Sequence, residues 1–106
     1  ELYIEAKEAW GKVFGLKVVG KSMEPKIEEG DWIIIRIQPD VDDGDIAVVM
    51  IDGDEGTCKQ IHKSKDGIML TAFNQDVFPP KFFSNEEIEQ LPVRIVGKVI
   101  EVRRKM

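Results

Sequence analysis

The sequence predicts a mostly β domain: a small antiparallel or mixed sheet, barrel-like or sandwiched, with one or two short helical turns. Three observations carry the expectation. Short apolar runs rich in β-branched residues recur along the chain, each bounded by Gly and Asp. Only one late stretch carries a helix-start signature. A chain of 106 residues that is 42% hydrophobic and 33% charged has the profile of one folded domain rather than a disordered segment.

The elements follow in order. Residues 1–10 show a loose helical pattern, with Leu2, Ala6 and Ala9 near one face. A pattern that short is marginal on its own. Val13 to Val19, Trp32 to Ile37 and Ile46 to Ile51 read as buried strands. Glu29-Gly30-Asp31 turns the chain before the second strand, and Pro39-Asp40 and Asp43-Gly44-Asp45 separate it from the third. Asp52-Gly53-Asp54-Glu55-Gly56 reads as a hairpin loop leading into a strand from Thr57 to His62. Lys65-Asp66-Gly67 gives a second hairpin, ahead of Ile68 to Thr71. Pro79-Pro80 breaks regular structure. Ser84 followed three residues later by Glu87 is a capping box, so a helical turn runs to Leu91 and stops at Pro92. Val93 to Val102 closes the chain as a long strand, with Gly97 as a bulge.

Composition also excludes function classes. The net charge is −5, and an acidic chain lacks the Lys and Arg excess that binding to phosphates requires. No apolar run reaches the roughly 20 residues of a membrane span. No secretory leader is visible, and the chain opens at Glu1 rather than at a methionine, as a fragment of a longer protein would. A lone cysteine, Cys58, excludes an internal disulfide framework and a cysteine-rich zinc site. Asp40 to Asp45 is similar to a calcium loop only superficially. Gly44 and Asp45 stand where that loop needs a ligand and a glycine, so an acidic solvated turn is the better reading.

The most informative stretch is Val19-Gly20-Lys21-Ser22-Met23-Glu24-Pro25. Gly20 permits a sharp bend after an apolar strand, and Pro25 stiffens the exit. A serine held there can present its hydroxyl while neighbouring backbone N–H groups face a substrate oxygen. The plain alternative is a solvent-exposed turn serine. A serine nucleophile needs a base. The sole histidine, His62, sits at a predicted strand end beside Lys63 and Lys65 and reads as a surface residue. Lys59 lies mid-strand on one face with Thr57 and Ile61, either partly buried or at a solvated hairpin edge. An ordinary lysine titrates near ~10.4, so a base working at neutral pH requires a site that opposes the charge by about 3 units, or roughly 4 kcal/mol. Cys58 points to the opposite face and reads as a small core residue. The aromatic run Phe78-Pro79-Pro80-Lys81-Phe82-Phe83 reads either as core or as a partner-facing patch, and Arg103-Arg104-Lys105 as a solvated basic tail.

Taken in order, Gly20-Lys21-Ser22-Met23, Gly30-Asp31-Trp32-Ile33, Asp43-Gly44-Asp45-Ile46 and Thr57-Cys58-Lys59, with the closing Ile95-Val96-Gly97-Lys98-Val99-Ile100, resemble the C-terminal domain of the LexA and phage repressor family of self-cleaving serine proteases. The likeness runs from about Phe14 onward. It implies a LexA C-terminal, signal-peptidase-like β fold. It makes Ser22 the nucleophile and Lys59 the general base, with the N–H groups of Ser22 and Lys21 holding the oxyanion. Gly20, Met23, Glu55 and Thr57 take supporting roles. It implies no metal or other cofactor, a cytoplasmic homodimer, and cleavage of the protein's own interdomain linker under a RecA filament in the SOS response. Operator DNA would be bound only through an upstream helix-turn-helix domain. Family members cut at Ala-Gly or Cys-Gly, and this chain has neither; its early Trp10-Gly11 is a poor fit, so the bond is expected upstream of Glu1. Ser22-Met23-Glu24-Pro25 also resembles the Ser-Met-x-Pro box of signal peptidases, which act on other proteins. A catalytically silent dimerisation module is the third reading.

Overall fold

The computed structural model describes residues 2–3, 13–53 and 56–104. Among them, eight strands and one helix form: β1 (Leu2–Tyr3), β2 (Val13–Val18), β3 (Trp32–Ile37), β4 (Ile46–Ile51), β5 (Thr57–Ser64), β6 (Gly67–Thr71), β7 (Lys81–Ser84), α1 (Asn85–Gln90) and β8 (Val93–Arg103). They make one sheet in the order β1-β2-β3-β8-β4-β5-β6-β7. Every pairing is antiparallel. The mostly β expectation holds, and the antiparallel form of it is the one observed.

The long β8 joins the two halves. Its end pairs with β3, from Trp32↔Arg103 to Ile37↔Gly97, and its beginning pairs with β4, from Ala47↔Lys98 to Ile51↔Val93. β4 is apolar along its whole length because both of its faces are covered. Val48 packs into a cluster with Leu16, Val18, Met23, Ile27, Ile33, Ile35 and Cys58. Ala47 and Val49, pointing the other way, join Val41, Ile61, Leu70, Phe83 and Val93. Phe78 packs against both clusters.

Several expectations change in detail. Leu2–Tyr3 is a strand paired to Val18 and Lys17, not the start of a helix. The rest of that expected helix, with Trp10-Gly11, lies outside the described residues. β7 was hidden by the preceding Pro79-Pro80 and forms because β6 offers it a partner, with Met69↔Phe82 and Ile68↔Phe83. The aromatic run divides: Phe83 is buried, Phe82 is exposed. The capping box at Ser84 and Glu87 is present and starts α1. The acidic turn is internally bonded, Asp45 accepting from the Asp42 amide and Asp43 from the Lys63 amide, while Asp40 pairs with Lys63.

Gly97 is not itself the bulge. The registers of β8 with β3 and β4 slip around it, leaving Ile100 unmatched against β3 and Val96 unmatched against β4. Gly97 instead marks a close backbone approach: a Cβ there would meet the Arg36 carbonyl oxygen at 2.4 Å. Gly97→Ala is therefore expected to cost about 1–3 kcal/mol through overpacking. Thermal unfolding reads this as a midpoint lowered by roughly 4–8 °C for each kcal/mol.

The basic tail is not simply solvated. Arg104 donates two hydrogen bonds to the Asp31 carboxylate, Nε to Oδ1 at 2.9 Å and Nη2 to Oδ2 at 2.8 Å. Asp31 is buried and also accepts from the Glu28 amide. The hydrogen-bonded guanidinium holds the Asp31 carboxyl below the usual carboxylate range. Because the folded-state value is the lower one, this stabilisation is fully present above the ordinary Asp value of about 3.9 and is lost as pH falls through the folded value. Arg104→Ala should lower the unfolding midpoint at neutral pH, with the two proteins converging in acid. Parallel melting curves down through that acid range would contradict the clasp.

Candidate active site

The connection between β2 and β3, residues 19–31, carries the serine. Its base is closed by two backbone hydrogen bonds, Val18 N–H to the Asp31 carbonyl (2.8 Å) and Gly30 N–H to the Val18 carbonyl (2.9 Å). Gly20 bends the chain at φ +96°, a conformation that side-chain-bearing residues avoid. Its N–H donates to Glu29 Oε2 at 3.0 Å. Met23 and Ile27 plug the loop into the first core cluster and are tied by an Ile27 N–H to Met23 carbonyl bond of 2.9 Å. Ser22, beside the Met23 plug, is therefore held against the body of the domain and is only 5% exposed.

Lys59 reaches it from β5. The lysine is the third residue of the strand, paired with Ala47 of β4, and its exposure is 0%. Its Nζ donates to Ser22 Oγ at 2.9 Å, to Thr57 Oγ1 at 2.6 Å and to the Cys58 carbonyl at 3.1 Å. The same Nζ lies 4.5 Å from the centroid of the Phe78 ring. Two residues 37 apart in sequence thus meet in a buried pocket. Of the two readings of Lys59, the solvated hairpin edge is excluded.

The remaining candidates fall around this contact. Thr57 shares the strand face of Lys59 and touches its amine directly. Glu55 lies outside the described residues. Lys21 is exposed, and its carbonyl accepts from the Glu24 amide at 3.2 Å. His62, three positions beyond Lys59, faces the other side of β5, where its Nε2 pairs with Thr71 Oγ1 at 2.9 Å. Cys58 is 3% exposed, and burial pushes its thiol up to about 12, which leaves it an inert core residue. Among the described residues no helix is long and apolar enough to cross a membrane.

Sequence reasoning missed two contributors. Phe78 read only as core or surface aromatic, yet its ring backs the Lys59 amine. Asn74 was not singled out at all. It contacts the serine turn through its own N–H, which donates to the Ser22 carbonyl at 2.9 Å, and through Nδ2, which donates to the Lys21 carbonyl at 3.2 Å. Backbone carbonyls as targets leave no residue-type signal in a sequence.

The antiparallel β domain thus sequesters a serine hydroxyl and a lysine amine together. A family model described as Peptidase S24-like matches residues 2–100, and the chain belongs to that family. It is 42% identical over 97 residues to a LexA repressor of Corynebacterium glutamicum, covering 91% of this chain and 38% of that protein. It is 38% identical over 104 residues to a LexA repressor of Magnetococcus marinus, covering 97% of this chain and 42% of that protein. A LexA repressor of Mycobacterium sp. (strain KMS) is 40% identical over 97 residues, which are 91% of this chain and 38% of the relative. The chain thus spans about two fifths of the length of these curated relatives.

Proposed function

We propose that this chain is the catalytic and dimerisation domain of a LexA-like or prophage repressor, and that Ser22 and Lys59 cleave a peptide bond in the linker of their own polypeptide. The observation that carries the reading is the 2.9 Å contact between Lys59 Nζ and Ser22 Oγ in a pocket where the lysine is 0% exposed. At that separation the contact serves either protonation state. The ammonium donates to Oγ, or the hydroxyl donates to a neutral amine.

Only the second arrangement is reactive. The neutral Lys59 amine takes the Ser22 proton as Oγ bonds to the scissile carbonyl carbon, and the carbonyl π electrons move to oxygen. Collapse of that adduct expels the amine product, which leaves with the proton held on Lys59. The acyl ester on Ser22 then yields to water, with Lys59 again as base. Burial penalises the charged lysine and works toward the reactive form. Thr57 Oγ1 and the Cys58 carbonyl fix the direction of Nζ. Release of the DNA-binding part from this domain ends repression in this reading, with a RecA filament as the activator and homodimerisation through this domain.

The test is a polypeptide in which a linker with one Ala-Gly bond precedes this chain. Cleavage at that bond, faster at alkaline pH and absent in Ser22→Ala, is expected. Intact protein at alkaline pH would leave the dimerisation module alone standing. Cleavage only of a separate secretory precursor would favour the signal-peptidase-like reading.

A further inference from the structure

Resting on the proteolytic reading, we propose that Asn74 is a positioning residue for the reaction: it holds two successive carbonyls of the serine turn and so aims the Ser22 N–H at the substrate oxygen. A trans peptide is planar, with its C=O and N–H directed oppositely. The Lys21 carbonyl belongs to the peptide that carries the Ser22 N–H, and the Ser22 carbonyl to the peptide that carries the Met23 N–H. Asn74 draws both carbonyls to itself, at 3.2 Å through Nδ2 and at 2.9 Å through its backbone N–H. Both amides are thereby turned away from Asn74.

Asn74 is itself a fixed point. Its carbonyl accepts from the amides of Val77 (3.2 Å) and Phe78 (3.1 Å), closing a turn. The buried Ala72 anchors the segment on one side, and Phe78 packs against both core clusters on the other. One short loop therefore touches both members of the pair: Asn74 at the serine turn, Phe78 at the lysine amine. Asn74 contacts neither Ser22 Oγ nor Lys59 Nζ, so its influence runs through amide direction alone. Losing an oxyanion donor outright costs about 10²–10³ in turnover, which sets the ceiling for misaiming one.

The experiment measures cleavage of an Ala-Gly peptide supplied to this chain, for the wild type and for Asn74→Leu, Asn74→Ala and Ser22→Ala, with thermal unfolding of each. Asn74→Leu keeps the side-chain volume and removes only the Nδ2 donor to the Lys21 carbonyl, leaving the backbone N–H to the Ser22 carbonyl in place. The expected result is a kcat lowered roughly 10-fold or more in both Asn74 variants while the protein stays folded, with KM and the pH midpoint of the rate unchanged. Wild-type kcat in the folded variants, or a displaced pH midpoint that points to Lys59 instead, overturns the proposal while Ser22-dependent wild-type cleavage upholds the proteolytic reading. Wild-type turnover that persists in Ser22→Ala, or none at all, overturns both.

Discussion

Lys59→Met is expected to abolish Ser22-dependent cleavage while leaving the fold about as stable as before. The lysine is fully buried. Methionine has a similar length and no charge to desolvate. Against that stand the Ser22 and Thr57 hydroxyls and the Cys58 carbonyl, which lose a donor. Each unsatisfied buried group costs about 1–3 kcal/mol, so the three together are of the same order as the several kcal/mol of desolvation penalty relieved. Loss of a general base costs about 10²–10⁴ in rate. Lys59→Ala should lose the same activity and also destabilise the protein, because it opens a cavity in the wall of β5 at a cost of about 2–5 kcal/mol. Comparing product formation with thermal unfolding in both variants separates the chemical role from the packing role.

Ser22→Ala is the second large effect. Removing the atom that forms the acyl bond should lower cleavage by about 10⁴-fold or more. The change in stability should be small, about 1 kcal/mol, since one hydroxyl leaves and Met23 and Ile27 still seat the loop. The pair is one chemical unit, so the double variant Ser22→Ala, Lys59→Met should lose no more activity than the worse single variant. Additive losses would mean that the two residues contribute separately. In the wild type the rate should rise about tenfold per pH unit over the range where the ammonium form predominates, because only the neutral amine accepts the serine proton.

Much of this was legible in the residues, and the gaps have physical causes. β3 and β4 are found where their apolar runs lie, because β3 buries one face, β4 buries both, and turn residues mark their ends. Ser22 was visible as a serine on a Gly-bent turn. Lys59 stood out as the candidate base but was ambiguous from its strand face alone; only its burial and the 2.9 Å contact decide between pocket and edge. β7 was invisible because its reason for being a strand is non-local: the partner β6. Arg104 read as a charged tail because its partner Asp31 stands 73 residues earlier. Asn74 and Phe78 touch the serine turn and the lysine amine through backbone carbonyls and a ring face, which no spacing rule encodes. Gly97 was read as the bulge, whereas the register slips sit on its neighbours and the glycine itself marks a close backbone approach.

The claim at the centre is that an uncharged Lys59 activates Ser22. Its most direct test is the rate at which a fluorophosphonate, which captures activated serine hydroxyls, modifies the native chain across neutral to alkaline pH, with the modified residue located by mass spectrometry. A single adduct on Ser22 is expected, formed about tenfold faster for each pH unit until the amine is neutral, with no adduct in Lys59→Met. Modification of Ser22 at a rate independent of pH, or at equal rate without Lys59, would contradict it.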